Sequence, residues 1–359
     1  DGVVGRGTFS FLAVHRDAHP DHPWFVCASY ARPHAPFTAP GRYIRHYRDR
    51  VPPPDPPRAD AEELEPFARY TFERMKCAEL SEEQIQRGRE GYYACVDFVD
   101  DCIGELLDRL KSTGALENTI VIYVSDHGEM AGLHGMWAKT LYYEPSIGIP
   151  LLIRGPGVRA GEHEIADPIS ISDLFPTVCG LTELPVPEGL DGVDWSAKLG
   201  DPEGADAPRD FAPSAYYAYG DRIKHRNAVE DGEPGRAWRA VRTRRWKYVE
   251  VQGAGPILFD MKEDPEETVN LADRPEHAGV CRELREKAYR GFGWDTVLER
   301  LQADRERLPE FLSGLKPSMP NQYMLPDGRT FDAEGDLYDA RWLYVPEGLT
   351  GGIIPQRFG

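Results

Sequence analysis

The chain has 359 residues, 41% of them hydrophobic, which is enough for one large domain with its own core and a smaller second domain. Its formal net charge of −18 argues against nucleic acid as a partner, because binding phosphates requires a basic surface. The sequence has no uninterrupted apolar run of about 18 residues, so it predicts no membrane-spanning segment.

The cysteines show neither zinc-site spacing nor a redox motif, and we interpret them as buried thiols. Cys95 and Cys102 fall on one face of a predicted helix, where packing is favoured over a disulfide. This pattern favours a reducing compartment and slightly favours the cytoplasm. The six cysteines are at 27, 77, 95, 102, 179 and 281.

A central strand is predicted over Trp24–Tyr30, an apolar and aromatic run between two proline-containing dipeptides. The loop that follows contains Pro33 and Pro36, which restrict its backbone and hold His34 just past the strand end. The residues alone leave two roles open for His34: ligand binding, or a hydrogen bond to the backbone.

A long helix is predicted to start at Ser81, which forms a capping box with Gln84. Apolar residues keep helical spacing from Ile85 to Leu110, so this helix should pack on the core. Its acidic side chains predict a solvated face or structural hydrogen bonds rather than a metal site. They are Asp97, Asp100, Asp101 and Glu105.

A buried strand is predicted over Thr119–Ser125, and it ends in Asp126 and His127. Ligands of open α/β sheets bind beyond the carboxyl ends of strands, and a carboxylate beside an imidazole can bind one divalent cation. Spacing alone leaves a plain polar turn as the alternative.

The loop after this strand is rich in glycine, at 128, 132 and 135. Glycine allows tight backbone turns, so the loop is expected to fold back. It would then bring His134 and Lys139 towards Asp126 and His127.

Further strands are predicted over Ile149–Ile153, in a pair within Trp238–Val251, and over Ile257–Asp260. The region 202–235 indicates a long excursion or a domain boundary. A helical segment is expected from Asp264 through about Tyr289. The basic residues at 242–247 alternate with aromatic ones, which predicts an exposed strand face rather than a nucleic-acid patch.

Several motifs occur in the same order as in a known protein family, which makes the resemblance specific. Ser125–Glu129, Lys139, Tyr143–Ser146 and Ile149–Ile153 closely resemble the pattern of the sulfatase family in the alkaline phosphatase superfamily. The stretch 130–139, MAGLHGMWAK, is most similar to the choline-sulfatase and phosphonate-monoester-hydrolase branch.

The resemblance implies an α/β fold with an alkaline-phosphatase-like mixed sheet sandwiched by helices, its N-terminal part missing, and a small C-terminal α+β subdomain. The expected parts are a catalytic portion over 1–200, a connecting excursion over 201–236 and a sheet-plus-helix subdomain over 237–292. Residues 293–359 would be an extension that contacts other subunits in a homo-oligomer.

The resemblance also implies roles for site residues. Asp126 and His127 would be metal ligands, and His34 and Lys139 would be catalytic residues that contact the transferred group. His134 would bind substrate or pack beneath Trp137.

The family's cofactors are one divalent ion, Ca²⁺ first with Mn²⁺ or Mg²⁺ as alternatives, and a formylglycine nucleophile. No C/S-x-P-x-R motif is present in this sequence, so the nucleophile is expected upstream and the fragment should be inactive alone.

The function implied is metal-dependent hydrolysis of a small-molecule sulfate monoester. The same residues are compatible with a phosphonate monoester hydrolase or phosphodiesterase. A non-catalytic fragment or pseudoenzyme that keeps the fold is the third hypothesis.

Overall fold

The computed structural model describes residues 1–57, 60, 62, 64–217, 237–297, 299–300, 303, 322–324 and 330–332. Two compact units divide the chain, Asp1–Arg290 and Gly291–Gly359. In the second unit, β7 (Gln322–Met324) and β8 (Thr330–Asp332) pair antiparallel. Most of the extension expected over 293–359 lies outside the described residues.

The first unit contains the elements around the predicted site. Its helices are α1 (Gly2–Ala18), α2 (Gly41–Tyr47), α3 (Pro66–Arg74), α4 (Glu82–Ser112), α5 (Glu144–Ile147), α6 (Leu174–Leu181), α7 (Ser196–Gly200) and α8 (Ala278–Ala288). Its strands are β1 (Val121–Val124), β2 (Leu151–Arg154), β3 (Ala212–Tyr217), β4 (Ala237–Arg242), β5 (Trp246–Val251) and β6 (Pro256–Asp260). No helix in the described part has the length and apolar content needed to cross a membrane.

Helix α4 begins at the predicted capping box. The Ser81 hydroxyl accepts a hydrogen bond from the Gln84 amide at 3.2 Å, and the Gln84 side chain accepts one from the Ser81 amide at 2.8 Å. The acidic face is structural, as predicted. Asp101 accepts a hydrogen bond from the Tyr43 hydroxyl at 2.5 Å, and Glu105 pairs with Arg109.

Strand β1 lies within its predicted segment, and β2 starts two residues later and ends one residue later than predicted. The two strands pair antiparallel, with Val121 opposite Arg154. The prediction that these two strands are buried is wrong. Residues of β1 are half-buried, and β2 alternates, so that Leu152 is 66% exposed. A pair of strands covers only part of its own surface, because burial of both faces requires layers on each side.

The segment Trp24–Tyr30, predicted as a central strand, is not a strand within the described chain. The segment is extended and its burial alternates, with Trp24, Val26 and Ala28 packed against the core and Phe25 82% exposed. No backbone hydrogen bond joins it to another segment of the described chain. A strand requires a neighbouring backbone to pair with, so the run stays an unpaired extended segment.

The C-terminal sheet of the first unit is antiparallel in the order β3-β4-β5-β6. The predicted hairpin is confirmed as β4 and β5, and the following strand as β6. Strand β3 was not predicted, because its sequence lies in the Gly- and Pro-rich region read as an excursion. The expected helix from Asp264 starts only at Ala278, as α8.

Two burial predictions need correction. Lys247 belongs to the basic stretch expected to be exposed, but it is fully buried, at 0% exposure, against Glu267. Cys27 is exposed and Cys281 is half-buried, whereas the other four cysteines are buried; all six are free thiols.

The main hydrophobic core joins the loop that follows β1 to the C-terminal sheet. Met130, Leu141 and Tyr142 of the loop are at most 1% exposed and share one cluster with Trp238 and Phe259 of the sheet. The loop that carries Lys139 is therefore part of the folded core.

We expect the Ser81→Ala variant to lose about 1 kcal/mol of unfolding free energy, because an amide of the first turn of α4 loses its acceptor. Urea denaturation measures this loss. Ser112→Ala near the other end of α4 is the matched control, since its hydroxyl donates only to the Arg109 carbonyl. Equal losses in the two variants would contradict the capping role.

Candidate active site

The end of β1 places Asp126 and His127 next to each other. Oδ2 of Asp126 lies 3.5 Å from Nε2 of His127, and the Asp126 side chain is 81% exposed. Nδ1 of His127 lies 2.8 Å from the Gly128 carbonyl oxygen, so the Nδ1 proton is donated to that oxygen. With Nδ1 bonded in this way, Nε2 is the ring nitrogen that can bind a ligand beside the carboxylate.

His34 and Lys139 form a second pair. Nζ of Lys139 lies 3.2 Å from Nε2 of His34, although 105 positions separate the residues in sequence. Nδ1 of His34 lies 2.7 Å from the Ala35 carbonyl oxygen and donates its proton there. Nε2 therefore accepts from the Lys139 ammonium, which presents a cation and an imidazole at one position.

The loop over 129–138 connects the two pairs. The Met130 amide donates to the Ala138 carbonyl at 2.9 Å, and the Ala138 amide donates to Glu129 Oε1 at 2.5 Å. These bonds bring the residue before Lys139 back beside the residues that follow His127. The fold-back expected from the glycine-rich sequence is confirmed.

Helix α4 provides the surface on which both loops pack. A Cβ on Gly91 would lie 2.7 Å from the Phe37 carbonyl oxygen, and one on Gly88 would lie 2.6 Å from the Trp137 ring. The rings of Phe37 and Trp137 are themselves 5.8 Å apart. The loop of His34 and the loop of Lys139 therefore contact the same glycine-lined face of the helix.

Buried Arg89 on α4 donates one hydrogen bond to the loop over 129–138 and one to the segment that contains Pro52. Its Nη1 donates to the Ala131 carbonyl at 2.6 Å and its Nε donates to the Pro52 carbonyl at 3.1 Å. Burial lowers the pKa of this guanidinium from its ordinary value. Our sequence reasoning missed Gly88, Arg89 and Gly91. The sequence signal for these residues was a pair of glycines three positions apart, with an arginine between them, on a helix that packs on the core.

His134 is buried, whereas Asp126 and His34 are exposed. It is 6% exposed, and its ring stacks on Tyr143 with centroids 4.2 Å apart. Its amide donates to the Pro56 carbonyl at 3.1 Å. Burial lowers the pKa of its imidazole to about 4. The substrate-binding role of His134 stays a prediction.

The donor chemistry at the end of β1 fits part of a metal shell. Asp126 offers carboxylate oxygens, and His127 offers Nε2 of a ring whose orientation is fixed by the bond of Nδ1 to the Gly128 carbonyl. Within the described residues, no group of three or more His, Cys, Asp or Glu converges to hold an ion. These two residues could supply two ligands, and others would have to complete the shell.

Two family models match the chain. The model described as Sulfatase matches residues 7–184, and the one described as N-sulphoglucosamine sulphohydrolase, C-terminal, matches residues 132–291. The choline-sulfatase of Rhizobium meliloti (strain 1021) is 29% identical over 273 residues, which is 74% of this chain and 49% of that protein. The chain spans about half the length of the first curated relatives it matches.

Two solved structures have a similar fold. The phosphonate monoester hydrolase of Agrobacterium radiobacter aligns with a TM-score of 0.62 at 26% identity, over 91% of this chain and 63% of that one. BT4656, in complex with its substrate D-Glucosamine-2-N, 6-O-disulfate, aligns with a TM-score of 0.64 at 22% identity, over 80% of this chain and 68% of that one.

The fold is therefore alkaline-phosphatase-like α/β. The chain belongs to the sulfatase family of the alkaline phosphatase superfamily, as its motifs predict.

We expect Gly91→Ala to lower the unfolding free energy by about 1–3 kcal/mol, because the new methyl group overlaps the Phe37 carbonyl. Gly104→Ala on the same helix is the matched control, since nothing lies within 4 Å of its Cβ position. That control should gain roughly 0.5–1 kcal/mol. Thermal and urea unfolding measure both changes, and a stabilised Gly91→Ala variant would contradict the packing described.

His134 makes stability depend on pH. Its folded pKa of about 4 lies below the ordinary value of 6.5, so between these pH values the unfolded state binds more protons. Stability therefore rises with pH across this window, by at most about 1.4 kcal/mol per pH unit for one proton, and it is lost as pH falls towards 4.

His134→Asn should reduce that slope, because asparagine does not titrate and tolerates the left-handed backbone at this position, where φ is 54°. Urea unfolding between pH 4.5 and 7 gives the slope. An unchanged slope in the variant would show that the imidazole is not held neutral in the folded state.

Proposed function

We propose that the protein hydrolyses a sulfate monoester at the end of β1, as a sulfuric ester hydrolase. One observation carries this proposal: the sulfatase-pattern residues Lys139 and His34 form a 3.2 Å pair, and a single short loop links Lys139 to Asp126 and His127. The sulfatase family membership supports the reaction class.

The chemistry requires positive charge around the anionic sulfate group and a proton for the departing alcohol. The ammonium of Lys139 donates hydrogen bonds to the sulfate oxygens. His34 binds the same group or acts as the general acid, donating a proton from Nε2 to the leaving oxygen as the bond between sulfur and this oxygen breaks.

Asp126 and His127 would hold the divalent ion, which supplies Lewis-acid stabilisation of the sulfate oxygens when bound. The carboxylate suits Ca²⁺, and Mn²⁺ or Mg²⁺ are the alternatives. The remaining ligands and the formylglycine nucleophile are assigned to a segment outside this chain. The greater length of the curated relatives supports that assignment.

The extended segment over Trp24–Tyr30 supports the same assignment. Its backbone has no pairing partner in the described chain, and Phe25 is 82% exposed on its outer face. An added apolar strand would satisfy those backbone groups and cover that ring. We infer that a further strand of the sheet pairs there.

A phosphonate monoester hydrolase is the second candidate. It is favoured by the fold alignment over 91% of this chain to the phosphonate monoester hydrolase of Agrobacterium radiobacter, at 26% identity. A phosphonate ester presents a similar anionic centre, so the same residues could act on it.

In the full-length gene product, we expect Asp126→Asn and Lys139→Met each to lower kcat/KM for an aryl sulfate by about 10²–10³, because each removes charge placed at the reacting group. Choline sulfate and a phosphonate monoester assayed in parallel rank the substrate classes.

Removal of divalent ions with a chelator should abolish the activity, and added Ca²⁺ should restore it.

Asp100→Asn and Lys111→Met are the matched controls, since both lie on α4 with exposed side chains. They should keep the wild-type rate. A fully active Asp126→Asn enzyme would contradict the metal role. A wild type inactive on all three esters despite a mature formylglycine would overturn these substrate classes, and a gene that encodes no nucleophile would favour the pseudoenzyme.

A further inference from the structure

The C-terminal sheet contains a fully buried lysine. Lys247 on β5 is 0% exposed and its ammonium contacts the carboxylate of Glu267, itself 3% exposed. Nζ of Lys247 also lies 3.1 Å from Oε2 of Glu144. A buried ammonium is held by such partners, because leaving one charge uncompensated in the interior is costly.

Glu144 connects this ion cluster to helix α5. Its backbone amide donates to Glu267 Oε2 at 2.5 Å, and its carboxylate lies 3.6 Å from Nε of Arg242 on β4. Glu144 is the first residue of α5. The first residue of this short helix is therefore bound in two ways. Its backbone bonds to Glu267 in the segment before α8, and its side chain bonds to the sheet.

Helix α5 in turn holds the loop of the proposed metal ligands. The Gly128 amide donates to the Ser146 carbonyl at 2.8 Å, and Ser146 is 2% exposed. A Cβ at position 128 would lie 2.0 Å from the Pro145 carbonyl oxygen, so only glycine fits there. Any movement of α5 must therefore move the backbone next to His127.

We propose that Lys247 and Glu267 are positioning residues, which fix α5 through Glu144 and thereby hold Asp126 and His127 in place. The ligand role of that loop rests on the function proposed above. The positioning itself is a property of the fold. Neither residue approaches the reacting group, so both act through the backbone contact between Ser146 and Gly128.

The test compares two variants of the full-length protein that each break a buried ion pair. Lys247→Met removes the ammonium of this cluster. Arg209→Leu is the matched control, because Arg209 bonds to Asp173, which is 0% exposed, through contacts of 2.7 and 2.9 Å. Neither residue of that pair contacts α5 or the loop over 126–128 in the described structure.

Hydrogen exchange of the Gly128 amide is the first measurement, since it requires no metal or substrate. We expect exchange at least about tenfold faster in Lys247→Met and unchanged in Arg209→Leu at matched global stability. Unchanged exchange in Lys247→Met, or equal acceleration in the two variants, would overturn the proposal.

Calorimetric titration with Ca²⁺ is the second measurement. The dissociation constant should rise about tenfold in Lys247→Met and stay at the wild-type value in Arg209→Leu, as expected when a residue that orients ligands is lost. A wild type that binds no Ca²⁺ would refute the metal role in the proposed function, while the exchange rates would still decide the positioning.

Glu144→Gln provides a milder variant if Lys247→Met does not fold. It keeps the backbone amide that bonds to Glu267 and removes only the charge that faces Lys247 and Arg242. The Gly128 amide should exchange about threefold faster in this variant, and no acceleration would count against the proposal.

Discussion

Close backbone packing against helix α4 is the constraint on which the candidate site depends. Phe37 and Trp137 can contact the helix only where Gly91 and Gly88 leave space. These contacts fix the loops that carry His34 and Lys139. The two side chains therefore lie within hydrogen-bond distance although they are 105 positions apart in sequence. Helix α4 is one continuous helix of 31 residues, which its capping box and its apolar face stabilise, so a single rigid element contacts both loops.

The loop after β1 is held from two sides. Arg89 binds the Ala131 carbonyl of the loop from the side of α4, and the aromatic core of the C-terminal sheet packs against the other end of the loop. The ion cluster of Lys247 adds a third link through α5. A site residue in such a loop loses little further freedom on binding, because its conformational entropy has already been lost on folding. The small C-terminal sheet thus supports the loop of the candidate site through packing and hydrogen bonds.

The elements predicted correctly from the sequence are those with local signals. The capping box identified α4, a β-branched run located β1, and alternation located the hairpin of β4 and β5. The resemblance placed Lys139 near His34. Features that depend on distant partners were not predictable. Trp24–Tyr30 has a strand sequence without a paired neighbour, and Lys247 alternates like a surface residue but meets Glu267 from another segment.

Electrostatics favour a specific role for Asp126 in the proposed reaction. A chain of net charge −18 repels an anionic ester, but salt limits that repulsion to about 8 Å at physiological ionic strength. Binding must then come from contacts at the site. Without a cation, the carboxylate of Asp126 would repel the sulfate group that Lys139 and His34 attract in the proposed reaction. An exposed Asp126 beside His127 is therefore consistent with anion binding when both bind a cation, which reverses the sign of the local field.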